Sequence, residues 1–247
     1  MTLLGAALCF FRPPDDIAGP FWPSGGRWRT CRAAANPRVG LGQMQSGLAL
    51  ARQIGFQLFI PDGLLVLAQC YLQAGQLEDG FGSLTEAAQM SEQSKMRAWE
   101  AEWYRLRGEF LLARARQRHL VDVNQPDQRE ADGCFQRALE IASQQGAKSW
   151  ALRVAMSQCR LWQQQGLVED AYRALKTLYG EFTEGFATQD LQEAKALLAE
   201  LAASQCARGA FGRLHIGVLG DACGNVRHRS DAVRDDHIAV AVEAFGV

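Results

Sequence analysis

Histidines, cysteines and clustered acids are the side chains through which this chain could do metal or acid–base chemistry. Near the C-terminus they come as His215, Cys223, His228 and His237 with Asp235 and Asp236. Imidazole, thiolate and carboxylate are the ligands zinc takes from a protein, usually starting from a closely spaced pair. These spacings match no compact pair, so no metal is expected. Residues 216–225, IGVLGDACGN, bring several glycines together. A dinucleotide site also needs a strand, a helix and a distant acidic partner, and none is in view. The chain has no G-x-x-x-x-G-K-[ST] phosphate loop and no G-x-S-x-G elbow, and no cysteine is placed on a helix to pair with a histidine. The expectation is a chain that is not an enzyme, with no catalytic residue and no cofactor.

Two groups could instead carry recognition. Trp99, Trp103 and Trp150 could stack on bases, but aromatics at helical spacing usually pack helices together, and no basic track accompanies them. Residues 114–128, RARQRHLVDVNQPDQ, contain Arg114, Arg116, Arg118 and His119, the most basic exposed patch on offer. A flexible surface loop is the plainer reading, because lengthening a loop costs little. The formal net charge is -1, so the chain as a whole is not drawn to nucleic acid or to anionic membrane.

The elements that would position any such residues are helices. Leu64, Leu67, Ala68, Tyr71, Gly75, Gly80, Leu84 and Ala87 alternate large and small side chains as two packed antiparallel helices require. A shift of 40 residues brings Tyr104, Gly108 and Leu111 into the slots of Leu64, Ala68 and Tyr71. The partner helix of that unit reads Ala131, Phe135 and Ala138, displaced by 11 further residues. Another 40 on lie Ala171, Leu175 and Leu178, preceded by Ala155, Cys159, Trp162 and Gly166. A shift of 40 backwards gives Gly40, Met44 and Gly47. Small residues let backbones approach, and Gly108 is the sharpest case, since a mid-helix glycine costs about 1 kcal/mol against alanine. The predicted fold is all-α, an α-solenoid of antiparallel helical hairpins with poorly ordered flanks.

This pattern resembles tetratricopeptide repeats, through Leu-x-x-Ala-x-x-Tyr from Leu64 and Ala-x3-Phe-x2-Ala from Ala131. It departs from them in its period, usually about 34, and in replacing the first-helix tryptophan by Leu64, Tyr104 and Ala155. The runs WEAEWYRLRGEFLL (99–112), CFQRALEIASQQGA (134–147), and LWQQQG, YGEFTEGF and DLQEAKALLAEL within 161–201 are similar to the C-terminal repeat region of large bacterial signalling proteins. Those proteins join an adenylate or guanylate cyclase domain, or a transcription-regulator domain, to an AAA-type ATPase and a tetratricopeptide-like tail. The likeness covers residues 40 to 203 and implies the architecture of the tail, without the cyclase or ATPase domains.

In such arrays the first helices line the concave face. The resemblance therefore implies a protein-binding groove built from Gln69, Leu72, Glu102, Arg105, Glu109, Arg153, Met156, Arg160 and Gln163. An alternative is a solvated stripe beside the next repeat, where pairing of Glu102 or Glu109 with Arg105 would contribute a few tenths of a kcal/mol on an exposed helix. The expected partner is a protein or peptide in the concave groove, in a signal-transduction scaffold. The other function to weigh is an effector-sensing tail of an ATP-dependent transcription regulator, which would bind a small effector.

The register runs out at both ends, since the turn positions at 35 and 206 hold Ala35 and Cys206. The expected organisation is an irregular flank at 1–39, a helical repeat domain at 40–203 and a flank of uncertain order at 204–247. Five prolines interrupt the first flank, among them Pro37. One hypothesis derives one or both flanks from a shifted reading frame or a truncated gene, which the encoding DNA would test. Asp190, with Glu193 three residues on, reads as the capping box of a last helix whose face, Leu191, Ala194, Leu197, Leu198 and Leu201, closes the array. The opening MTLLGAALCFF lacks the basic region of a signal peptide, and no apolar run is long enough for a membrane helix. Seven dispersed cysteines without framework spacing fit a reducing cytoplasm. Cys159 reads as a small buried residue.

Overall fold

The structure, a computed structural model, describes the backbone of residues 37–55, 57, 60–118 and 126–216. The side chains of 37–40, 43 and 206–216 lie outside that description. Among the described residues there are eight α-helices and no strand, in keeping with the all-α expectation. They are α1 (Pro37–Gln53), α2 (Ile60–Ala74), α3 (Leu77–Ser94), α4 (Glu100–Gln117), α5 (Pro126–Gln144), α6 (Lys148–Gln165), α7 (Val168–Gly180) and α8 (Gln189–Ile216). Every residue that carried the repeat pattern falls in one of these helices, or, for Gly75 and Gly166, just past the end of one.

Glycine ends three of the helices in the same way. Gly75, Gly146 and Gly166 take φ of 73°, 62° and 86°, a region open to glycine and strained for other residues. The amide of the next residue then reaches back to the helix: Gln76 donates to the Tyr71 carbonyl (2.9 Å), Ala147 to Ala142 (2.8 Å) and Leu167 to Trp162 (2.8 Å). The glycine amides donate to Leu72, Ser143 and Gln163, completing a Schellman ending each time. The chain can therefore start α3, α6 and α7 within a few residues of the preceding stop.

The chain divides into two compact units between Ala131 and Asp132, inside α5, and each is described by itself. A single repeat domain was expected from the sequence. In the first unit α2 packs against α1, α3 and α4, and α3 also packs against α4. Because α2 has neighbours on several sides it is apolar nearly all round, with ten buried residues from Ile60 to Tyr71. Leu48, Leu64, Ala68, Leu84, Trp99, Leu106 and Phe110 share its core, and Trp103 packs against it while its indole N–H donates to the Leu84 carbonyl at 2.8 Å.

Close backbone approach is clearest at Gly80 of α3. A β-carbon there would overlap the ring of Phe110 from α4 and stand 3.3 Å from the Tyr71 β-carbon of α2. Gly108, singled out from the sequence, is buried in α4. Gly80→Leu should overpack this junction and cost about 1–3 kcal/mol, and combining it with Phe110→Ala should recover part of the loss. A urea midpoint unchanged in the single variant would contradict the packing.

In the second unit α7 packs against α6 and α8, and α6 also packs against α8. Leu152, Ala155, Cys159 and Trp162 of α6 meet Ala171, Leu175 and Leu178 of α7 and Leu191, Ala194, Leu197 and Leu201 of α8 in one core. Trp150, on the same helix as Trp162, is half-buried beneath the Arg153 guanidinium, 5.0 Å from its ring centroid.

Several sequence expectations need correcting. α1 starts at Pro37, because the first helical position has no use for the missing N–H and suits the fixed φ of proline. α8 continues to Ile216, past the expected boundary at 203, where Ala202, Ala203, Ser204 and Gln205 give a helix no reason to stop. α8 begins at Gln189, so Asp190 stands inside its first turn rather than at the expected N-cap, and its carboxylate accepts from Arg153 while Glu193 accepts from Gln189. Cys70 is disulfide-bonded, whereas Cys134 and Cys159 are buried thiols. No helix among the described residues is long and apolar enough to cross a membrane. The flanks at 1–36 and 217–247, and the side chains of the possible metal ligands and of His119, lie outside the described residues.

Candidate interaction face

The nine groove residues divide between the units, and each unit treats its share differently. In the first unit, Gln69 and Leu72 come from α2, and Glu102, Arg105 and Glu109 from α4. Helical spacing puts Glu102 and Glu109 one turn either side of Arg105. Arg105 donates from Nε to Glu102 Oε2 at 2.8 Å and from Nη2 to Glu102 Oε1 at 2.7 Å, the bidentate geometry that makes an arginine–carboxylate pair strong. Nη2 also donates to Gln69 Oε1 at 3.1 Å, and Nη1 lies 3.6 Å from Glu109 Oε1.

This cluster is enclosed. Glu102 is 1% exposed and Arg105 7%, with α2 packed against α4 and its Gln69 against the guanidinium. The sequence-based picture of a solvated, weakly paired Glu102 and Arg105 is corrected accordingly. Glu102 also stands in the first turn of α4, where the helix dipole favours a negative charge. Leu72 packs against the core, so Gln69 and Glu109 are the members of this set that are half-exposed and polar.

In the second unit, Met156 is buried in the core and is no surface anchor. Arg153 donates from Nε to Asp190 Oδ2 at 2.8 Å, and Gln163 donates from Nε2 to Glu200 Oε1 at 2.7 Å, each tying α6 to α8. Arg160 is exposed, with Gln164 beside it. Of the four expected groove positions on α6, Arg160 is the exposed one, while Arg153 and Gln163 are half-buried.

One pair was missed in the basic segment. Arg114 donates from Nε to Asp127 Oδ2 at 3.1 Å and from Nη2 to Asp127 Oδ1 at 2.9 Å, while Arg118 stands 3.9 Å from the same carboxylate. The Arg114 guanidinium also lies 5.4 Å from the centroid of the Phe81 ring. Part of the expected basic patch is thus neutralised by an acid at the start of α5. The Arg114 hydrogen bond is the main cause holding the Asp127 carboxyl below the usual carboxylate range, against a smaller opposing push from burial. The same bond raises the Arg114 guanidinium.

A depressed carboxyl contributes stability that is present above its unfolded pKa and lost as pH falls through its folded pKa. Asp127→Asn should therefore cost about 1–3 kcal/mol at neutral pH. The gap between variant and wild type should persist above the ordinary carboxylate range and close only as pH falls below it. Urea unfolding of both proteins across this range checks it, and a gap independent of pH would contradict the pairing.

Cys159 offers no nucleophile. Burial pushes its thiol up to about 12, and the S–H donates to the Ala171 carbonyl at 3.2 Å. No group of three or more His, Cys, Asp or Glu side chains among the described residues could hold a metal ion. No family model, no curated protein and no solved structure matches the chain.

Proposed function

We propose that this chain is a non-enzymatic interaction module made of tetratricopeptide-like antiparallel hairpins, docking a protein or peptide on the outward face of its first helices. Its parent would be a bacterial signalling protein of the ATPase and cyclase type, as the sequence resemblance implies. The observation that carries the architectural part of this reading is the stepping of contacts between α6 and α8. Arg153–Asp190 and Gln163–Glu200 have the same sequence separation of 37, so the two helices advance together and run in the same direction. In the first unit, Gln69 of α2 meets Arg105 of α4, and Gly75 past the end of α2 meets Gln117 near the end of α4. First helices in parallel, with a second helix between them in the chain, are what stacked hairpins require.

The composition of α8 supports a closing role within this arrangement. Aligning Leu152, Ala155 and Trp162 of α6 on Leu191, Ala194 and Leu201 of α8 puts Lys195 and Glu200 against Met156 and Leu161. The α6 pair is buried; Lys195 and Glu200 are exposed. A terminal helix with a polar outer face is what keeps a repeat array soluble.

Docking on α6 is tested by comparative affinity enrichment and mass spectrometry with immobilised wild type, Arg160→Glu and Arg173→Glu. Arg173 is an exposed residue of α7 and serves as the control. A partner should be retained by wild type and Arg173→Glu and lost from Arg160→Glu. Equal enrichment on all three would remove the α6 face from the proposal.

A further inference from the structure

We draw no further inference here: the strongest candidate, the aromatic corner between α7 and α8 where Phe186 is 48% exposed with its ring centroid 6.0 Å from that of Tyr179, is an apolar patch with nothing in the structure to show what covers it.

Discussion

Glu102→Ala should destabilise the first unit by about 3–5 kcal/mol, far more than an exposed helical ion pair could account for. The wild-type carboxylate takes two hydrogen bonds from Arg105 inside a region closed to water. Removing it takes both of those bonds from a buried guanidinium, which keeps Gln69 Oε1 at 3.1 Å and Glu109 Oε1 at 3.6 Å. Arginine cannot escape by losing its proton, so the chain must open locally or hold the charge with its strongest, bidentate partner gone. The double variant Glu102→Leu with Arg105→Met removes both charges at similar volume and should recover most of the loss, because a buried pair is often replaceable by apolar packing at little net cost. Urea unfolding of wild type, single and double variants decides it. A single-variant loss of a few tenths of a kcal/mol would mean that Glu102 and Arg105 are open to solvent after all, and available to a ligand.

Ending the chain at Thr188 should abolish the soluble second unit. This cut removes Leu191, Ala194, Leu197 and Leu201, all buried, and uncovers Leu175 and Leu178, which α8 helps to enclose. Each leucine taken out of the core forfeits about 1.5–3 kcal/mol. The sum is comparable to the whole stability of an ordinary domain, about 5–15 kcal/mol. The truncated protein should aggregate on expression, while Leu201→Asp alone should fold with reduced stability or partly aggregate. Light scattering and circular dichroism check both. A soluble truncated protein with full helicity in its remaining residues would contradict the closing role of α8.

The sequence was legible where backbone geometry is tied to residue type. Gly75 and Gly166 announced helix ends because few other residues enter the left-handed region cheaply, and both end helices there. Gly80, Leu84 and Ala87, with their counterparts 40 residues away, announced helices because their spacing matches one helical face. Periodicity tells which residues share a face, but it does not tell which neighbour covers that face. Glu102, Arg105 and Met156 were therefore placed in an open groove, although Glu102 and Arg105 are buried with Gln69 of α2 against the guanidinium, and Met156 lies in the core of the second unit. The Arg114–Asp127 pair was hidden for a related reason, since the two residues stand on different helices and no helical spacing links them. At Asp190 the local signal marked the helix start to within two residues, since α8 begins at Gln189, but spacing along one helix could not show that Arg153 of α6 binds the Asp190 carboxylate.

The central claim is that first helices of successive hairpins lie parallel, and short cross-linking tests it most directly. In a background with the other cysteines replaced by serine, paired cysteines would be introduced at Arg153 and Asp190, and separately at Gln163 and Glu200. The crossed pairs, Arg153 with Glu200 and Gln163 with Asp190, serve as comparison. A short bis-maleimide should join both matched pairs and neither crossed pair, as mass mapping of the digested product would read. Efficient joining of the crossed pairs, with none of the matched, would mean that α6 and α8 run in opposite directions, and the hairpin-stack account of this protein would be wrong.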